Sequence, residues 1–91
     1  VVETNAVFER DAIRPVIAGA LPEGVRELIL SHVENHEITL QAALTYDRSL
    51  VVKAFLNDPL VKGRASEEEV GKLVDDMIRD TMKYLPRGWE K

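Results

Sequence analysis

Cysteine is absent from the 91 residues, and with it go disulfide bridges, thiolate metal ligands and cysteine nucleophiles. That absence fits a reducing compartment, and a cytoplasmic protein is expected. A basic excess is also missing. Twelve Lys and Arg stand against sixteen Asp and Glu, a formal charge of −4, so nothing in the chain would draw a phosphate backbone, and nucleic acid is excluded as a partner. No apolar run approaches the ~20 residues of a membrane span and no signal-peptide pattern opens the chain, so no membrane partner is expected. Neither a glycine-rich phosphate loop nor a G-x-S-x-G elbow occurs.

What is there describes an ordinary globular chain. Hydrophobic residues make up 45% and charged residues 31%, enough for one modest core and no more than one domain. Residues 1–8 read as a strand already under way, with no initiator Met and no polar lead-in. Arg10, Asp11 and Ala12 make a turn, and residues 13–17 return, held to an edge or extended role by Pro15. A lone hairpin is marginal in water, so its partners are expected either on the helices or in sequence outside this chain. The second expectation makes residues 1–91 a C-terminal domain or fragment of a larger protein.

Residues 25–44 organise the remainder. Val25, Leu28, Ile29, Val33, Leu40, Ala43 and Leu44 recur at helical spacing, predicting a long amphipathic helix whose stripe faces the core. Pro22 and Glu23 suit its start, with proline at the first helical position. Thr45 or Asp47 caps a second helix over residues 48–57, apolar nearly all round, which Asp58-Pro59 ends. Ser66 and Glu69 form a capping box for a third helix. Its apolar face is Val70, Leu73, Val74, Met77, Ile78, Thr81 and Leu85, with Asp75–Arg79 and Lys72–Asp76 pairs opposite. The predicted fold is mainly α with a short N-terminal β-hairpin and about three helices. Val33, Leu40, Leu44, Val51, Phe55, Leu73, Val74 and Met77 are expected to be largely buried. Leu30, Ile38, Val52 and Leu56 are expected to form a second apolar patch that meets another copy across a two-fold axis.

Chemistry is sparse. His32 and His36 lie one helical turn apart, a spacing that can chelate zinc. Val33 stands where a zincin needs Glu, Leu40 stands where a frame starting at His36 needs its second His, and no third ligand is visible. The pair therefore reads as core or interface histidines. Tyr46, Asp47 and Arg48 gather a phenol, an acid and a cation at a helix junction, with Asp47 read as a cap and Arg48 as a surface charge. Glu67, Glu68 and Glu69 favour the helix macrodipole without a ligand, and Trp89 closes over the core. No catalytic, cofactor-binding or metal residue is assigned to this chain, which alone is not expected to be an enzyme.

One resemblance organises these residues. Glu37, the run Ala42-Ala43-Leu44-Thr45, Asp47-Arg48, Ala54 and Asp58-Pro59-Leu60 resemble the C-terminal part of glycoside hydrolase family four. Val2-Glu3, the turn at Asp11, Ile13, Pro15 and Leu21-Pro22 look similar as well, as does the ending Tyr84-Leu85-Pro86. The chain departs from the family at Ala12, often Gly, and at Arg14, often His. If that His approaches substrate in relatives, Arg14 implies altered specificity or a structural loop.

The resemblance implies an NAD- and divalent-metal-dependent glycosidase of carbohydrate metabolism, with manganese the common metal. Such enzymes oxidise the sugar, remove the neighbouring proton, eliminate the leaving group and reverse the oxidation. The residues that carry those steps in the family match no position here, so NAD and metal are implied only for the parent enzyme. The pattern over residues 42–60 looks more like the α-galactosidase and α-glucosidase branch than the phospho-glucosidase branch. The expected role is support of a substrate cleft and of subunit contacts in a homo-oligomer, beside an N-terminal catalytic domain. Two alternatives from other classes remain open: a stand-alone helical protein-interaction module, and a small metal-binding protein using His32 and His36.

Overall fold

A computed structural model describes residues 4–90; the expected strand start over residues 1–3 lies outside them. The predicted hairpin forms. Strands β1 (Ala6–Phe8) and β2 (Ile13–Pro15) pair antiparallel, with Ala6 opposite Pro15, Val7 opposite Arg14 and Phe8 opposite Ile13. The Glu9 N–H donates to the Ala12 carbonyl at 2.8 Å and closes the turn. Pro15 is tolerated because both strands of a two-stranded ribbon are edges. The return strand is shorter than the residues 13–17 expected, though the Val16 N–H still donates to the Asn5 carbonyl at 2.8 Å.

Three helices follow. Helix α1 (Glu23–Thr45) starts one residue after Pro22, whose φ of −54° and ψ of 143° make it the cap and not the first helical residue expected. Tyr46 ends α1 in the left-handed region, φ 56° and ψ 37°. Only Tyr46 and Asp47 then separate α1 from α2 (Arg48–Asn57). Of the two candidate caps, Asp47 serves: its carboxylate accepts from the Ser49 N–H at 2.8 Å and from the Ser49 hydroxyl at 2.6 Å. Thr45 stays inside α1 and donates to the Gln41 carbonyl.

The capping box of α3 (Glu67–Thr81) forms as read. Ser66 Oγ accepts from the Glu69 N–H at 3.2 Å while the Glu69 carboxylate accepts from the Ser66 N–H at 2.8 Å. Ser66→Ala should therefore lower stability by about 1 kcal/mol, with Glu68→Ala as the neighbouring control; equal melting midpoints for the two variants would count against the box. α3 stops at Thr81, earlier than the apolar face through Leu85 suggested. A 3₁₀ turn, Met82–Tyr84, carries the chain on, and Leu85 is extended at ψ 150°, as a residue before proline prefers.

The core lies between α2 and α3. Val52, Val70 and Val74 are buried, with Val51, Phe55, Leu56, Val61, Ala65 and Ile78 packed around them. Leu73 and Met77 sit on the flank of α3 and stay exposed, because Val70, Val74 and Ile78, spaced by four, take the centre of the contact.

Helix α1 departs most from expectation. Ser31, Asn35, Ile38 and Ala42, at i, i+4, i+7 and i+11, are buried or half-buried on one face, and Val33, expected in the core, is half-buried on the opposite side. Asn35 Nδ2 donates to the Ala54 carbonyl at 2.9 Å, so this face meets α2. The apolar stripe lies roughly 140° around the helix from it at 100° per residue. Leu40 and Leu44, expected in the core, are therefore exposed, as are Val25, Leu28 and Ile29. The two-residue link fixes how α2 leaves α1, and Ala42 beside it is small enough for close approach. The patch expected at Leu30, Ile38, Val52 and Leu56 does not form: Val52 is buried, Leu56 packs on the core and Ile38 is half-buried, leaving Leu30 exposed. Sandwiching α2 between α1 and α3 turns its all-round apolar surface inward.

Candidate functional site

The junction of α1, α2 and α3 carries most of the polar organisation. Arg48, a surface charge by its place in the sequence and still half exposed, also ties α2 to α3. Its Nε donates to Asp75 Oδ1, and its Nη2 donates to the Gly71 carbonyl at 2.9 Å. Asp75 is thereby drawn from the helical partner expected for it. Arg79 turns instead to Asp76 at 2.7 Å and to Asp80 at 3.1 Å, and Lys72 makes no ion pair with Asp76 among the described residues. Asp75 lies 27 positions from Arg48, a separation that no local pattern announces.

Tyr46, Arg48, Asp75, Arg79, Gly88 and Trp89 line a cleft of about 410 Å³. The Trp89 ring meets Tyr46 edge to face, centroids 6.0 Å apart and planes at 86°, an arrangement favoured by the ring quadrupoles. A second hollow, lined by Val51, Phe55, Val74, Ile78, Leu85 and Trp89 among others, opens onto the core. Trp89 thus closes the end of the α2–α3 pair. The first cleft carries two guanidinium groups and two carboxylates, Asp75 and Glu90. Those charges balance, and the arrangement joins helices without presenting a nucleophile–base pair.

Ion pairing leaves a signature in titration. The Arg48 hydrogen bond holds the Asp75 carboxyl below its usual range, and Asp75 in turn raises Arg48. Hydrogen bonds from Ser49, side chain first and then backbone, lower Asp47; the Ser66 N–H and hydroxyl lower Glu69. A carboxyl depressed by folding contributes stability above its unfolded value and loses it as pH falls through the folded value. The melting midpoint should therefore be flat above about pH 5 and fall from about pH 4 downward. Asp75→Asn should flatten that acid slope; an unchanged slope would show that Asp75 does not couple to folding.

The remaining candidates separate. His32 and His36 are exposed on α1, away from α2, and among the described residues no three His, Cys, Asp or Glu side chains converge to hold a metal ion. Arg14 stands on β2 and donates from Nε to Glu9 Oε2 at 3.0 Å, across the turn from its strand. No helix among the described residues is long and apolar enough to cross a membrane.

Comparison with known proteins gives the chain its kinship. The family model described as the family 4 glycosyl hydrolase C-terminal domain matches residues 1–61. An alpha-galacturonidase of Lachnoclostridium phytofermentans is 61% identical over 98% of this chain, covering 19% of that protein. One of Thermoanaerobacterium saccharolyticum is 47% identical over 99% of this chain, again 19% of that protein. An alpha-galactosidase of Rhizobium meliloti is 33% identical over 96% of this chain, 18% of that protein. The chain thus spans about a fifth of the length of the curated relatives it matches. No solved structure matches it. With the family model covering two-thirds of its residues, the chain belongs to the family 4 glycosyl hydrolases and corresponds to their C-terminal domain.

Proposed function

We propose that the chain works as the C-terminal part of a glycosidase that cleaves α-linked galacturonides. The observation that carries this reading is the 61% identity, over nearly the whole chain, to a relative named alpha-galacturonidase. Identity falls to 33% for the alpha-galactosidase of Rhizobium meliloti, which favours the acidic sugar over the neutral one. The whole enzyme is taken as a cytoplasmic homo-oligomer that uses NAD and a divalent metal such as manganese, as the family resemblance implies.

The described residues do not fit either group. His32 and His36 offer two imidazoles where a metal needs further ligands, and no third ligand converges on them. Gly19, between β2 and α1, and Gly24, in the first turn of α1, lack the spacing of a dinucleotide turn. On this reading NAD, metal and the reacting groups belong to the upstream part of the enzyme, and this chain supports the cleft.

A chimera tests the reading. Residues of this chain would replace the matching final segment of the Lachnoclostridium phytofermentans enzyme, and hydrolysis of α-galacturonides and α-galactosides would be compared. Retained galacturonide cleavage is expected. A folded chimera inactive on galacturonides, or one that has become an α-galactosidase, would overturn the assignment.

A further inference from the structure

We infer that the outward face of α1 is the seat on which the upstream part of the same enzyme packs, aliphatic at its ends and histidine-bearing at its centre. This rests on the reading of the chain as the C-terminal part of a longer enzyme. The face comprises Val25, Leu28, Ile29 and Leu40, with His32 and His36 between them.

Three observations carry the inference. First, α1 spends its polar and small face on α2 and leaves its apolar one in water: Leu28 is 72% exposed and Leu44 66%. A stripe of aliphatic side chains this long is characteristic of a covered surface. Second, the molecule is a slab of 42 × 36 × 17 Å that exposes 7680 Å². A compact monomer of 10.2 kDa exposes roughly 5,300 Å², so roughly 2,400 Å² is uncovered beyond that. A standard interface buries only about 800 Å² per partner, and a second copy of ordinary fit would leave most of the excess wet. Third, most of the exposed large apolar side chains lie in the first half of the sequence, with Leu60, Leu73, Met77 and Tyr84 the ones beyond it. Phe8 on β1 is 77% exposed and Ile17, two residues past β2, 96%, and α1 shows its stripe, while α2 and α3 pack their central residues on each other and leave Leu73 and Met77 on the flank. In the relatives, about four-fifths of the polypeptide lies outside the matched segment, so a body large enough to cover both surfaces belongs to the same chain.

The histidines specify what that body offers. Imidazoles sealed in an interface must keep their ring nitrogens hydrogen-bonded. The covering surface therefore presents an acceptor, a backbone carbonyl or carboxylate, for each imidazole N–H and a donor or a second acceptor for the other ring nitrogen according to its protonation, and aliphatic side chains opposite Leu28 and Leu40.

His32 and His36 are the two histidines of the chain, which makes them reporters. Diethylpyrocarbonate would be applied to the 91-residue chain and to the Lachnoclostridium phytofermentans chimera, and modification read peptide by peptide by mass spectrometry. In the chimera both should react at least about tenfold more slowly, because a sealed side chain reacts only through opening. Leu28→Glu in the chimera should restore fast labelling, or remove soluble protein, while Leu60→Glu, 75% exposed on the connector, should change neither labelling nor yield. Equal labelling rates in chain and chimera would overturn the inference. So would protection already present in the isolated chain, with sedimentation showing a dimer that Leu28→Glu dissociates, since the occupant would then be a second copy. A chimera with protected histidines and no galacturonidase activity would sink the proposed function and leave the docking face standing.

Discussion

Val74→Asp is expected to unfold the α2–α3 pair. Val74 is 0% exposed and sits among Val52, Val70, Phe55 and Ile78. Among the groups packed there, none carries a charge that could pair with a carboxylate. An unpaired buried carboxylate costs several kcal/mol even after the protein relaxes around it. A domain with two fully buried aliphatic side chains, Val70 and Val74, sits near the low end of single-domain stability, roughly 5 kcal/mol, so the penalty is comparable to everything that holds it together. Val74→Ala removes two methyl groups and should cost roughly 2 kcal/mol with its cavity, enough to lower the melting midpoint without abolishing the transition. Far-UV circular dichroism against temperature reads both. A cooperative melt for Val74→Asp at the unsubstituted midpoint would show that the α2–α3 contact is not the core.

Such a thin core explains what could and could not be read from the chain. The capping box at Ser66 and Glu69, the Asp47 cap and the stop before Pro59 were legible because each is settled within a few residues by backbone groups needing partners. The turn at residues 9–12 was legible for the same reason. The orientation of α1 was not. Periodicity shows that Val25, Leu28, Ile29, Leu40 and Leu44 share a face, but not whether their partner lies within these residues. Asn35 and Ala42 gave no hydrophobic signal for the face that is used. What makes that face work is a hydrogen bond from Asn35 to Ala54 and the small size of Ala42, both visible only once α2 is in place.

Arg48 and Tyr46 show the same boundary at the candidate site. Helical spacing paired Asp75 with Arg79, a local rule worth a few tenths of a kcal/mol. The structure prefers the long-range partner, because Arg48 reaches Asp75 and the Gly71 carbonyl together and a guanidinium fork favours such double engagement. The interruption at residues 45–47 marked a helix end without revealing that a tyrosine would adopt the left-handed conformation there. Non-glycine residues pay for that conformation, so contacts on the Tyr46 ring must offset the cost.

Gly88→Ala should disrupt those contacts. A Cβ built at Gly88 falls 2.4 Å from two carbons of the Tyr46 ring and 2.6 Å from the ring carbon that joins the side chain. The clash reaches the root of the ring and not only its rim, so a small rotation cannot relieve it. Either Tyr46 leaves its place or the 3₁₀ turn Arg87–Trp89 lifts, and in both cases the edge-to-face contact with Trp89 is lost. Overpacking of this kind costs about 1–3 kcal/mol. The test is a double-mutant cycle. Tyr46→Gly alone relieves the left-handed backbone but gives up the ring, so its net effect should be small. Combined with Gly88→Ala, it removes the atoms that the new methyl group strikes, and most of the loss from Gly88→Ala should vanish. Trp89 is the one tryptophan of the chain, so its fluorescence follows the same event: red-shifted in Gly88→Ala as the ring meets water. Additive destabilisation in the double variant, with Trp89 emission unchanged in Gly88→Ala, would show that Gly88 is not held against Tyr46.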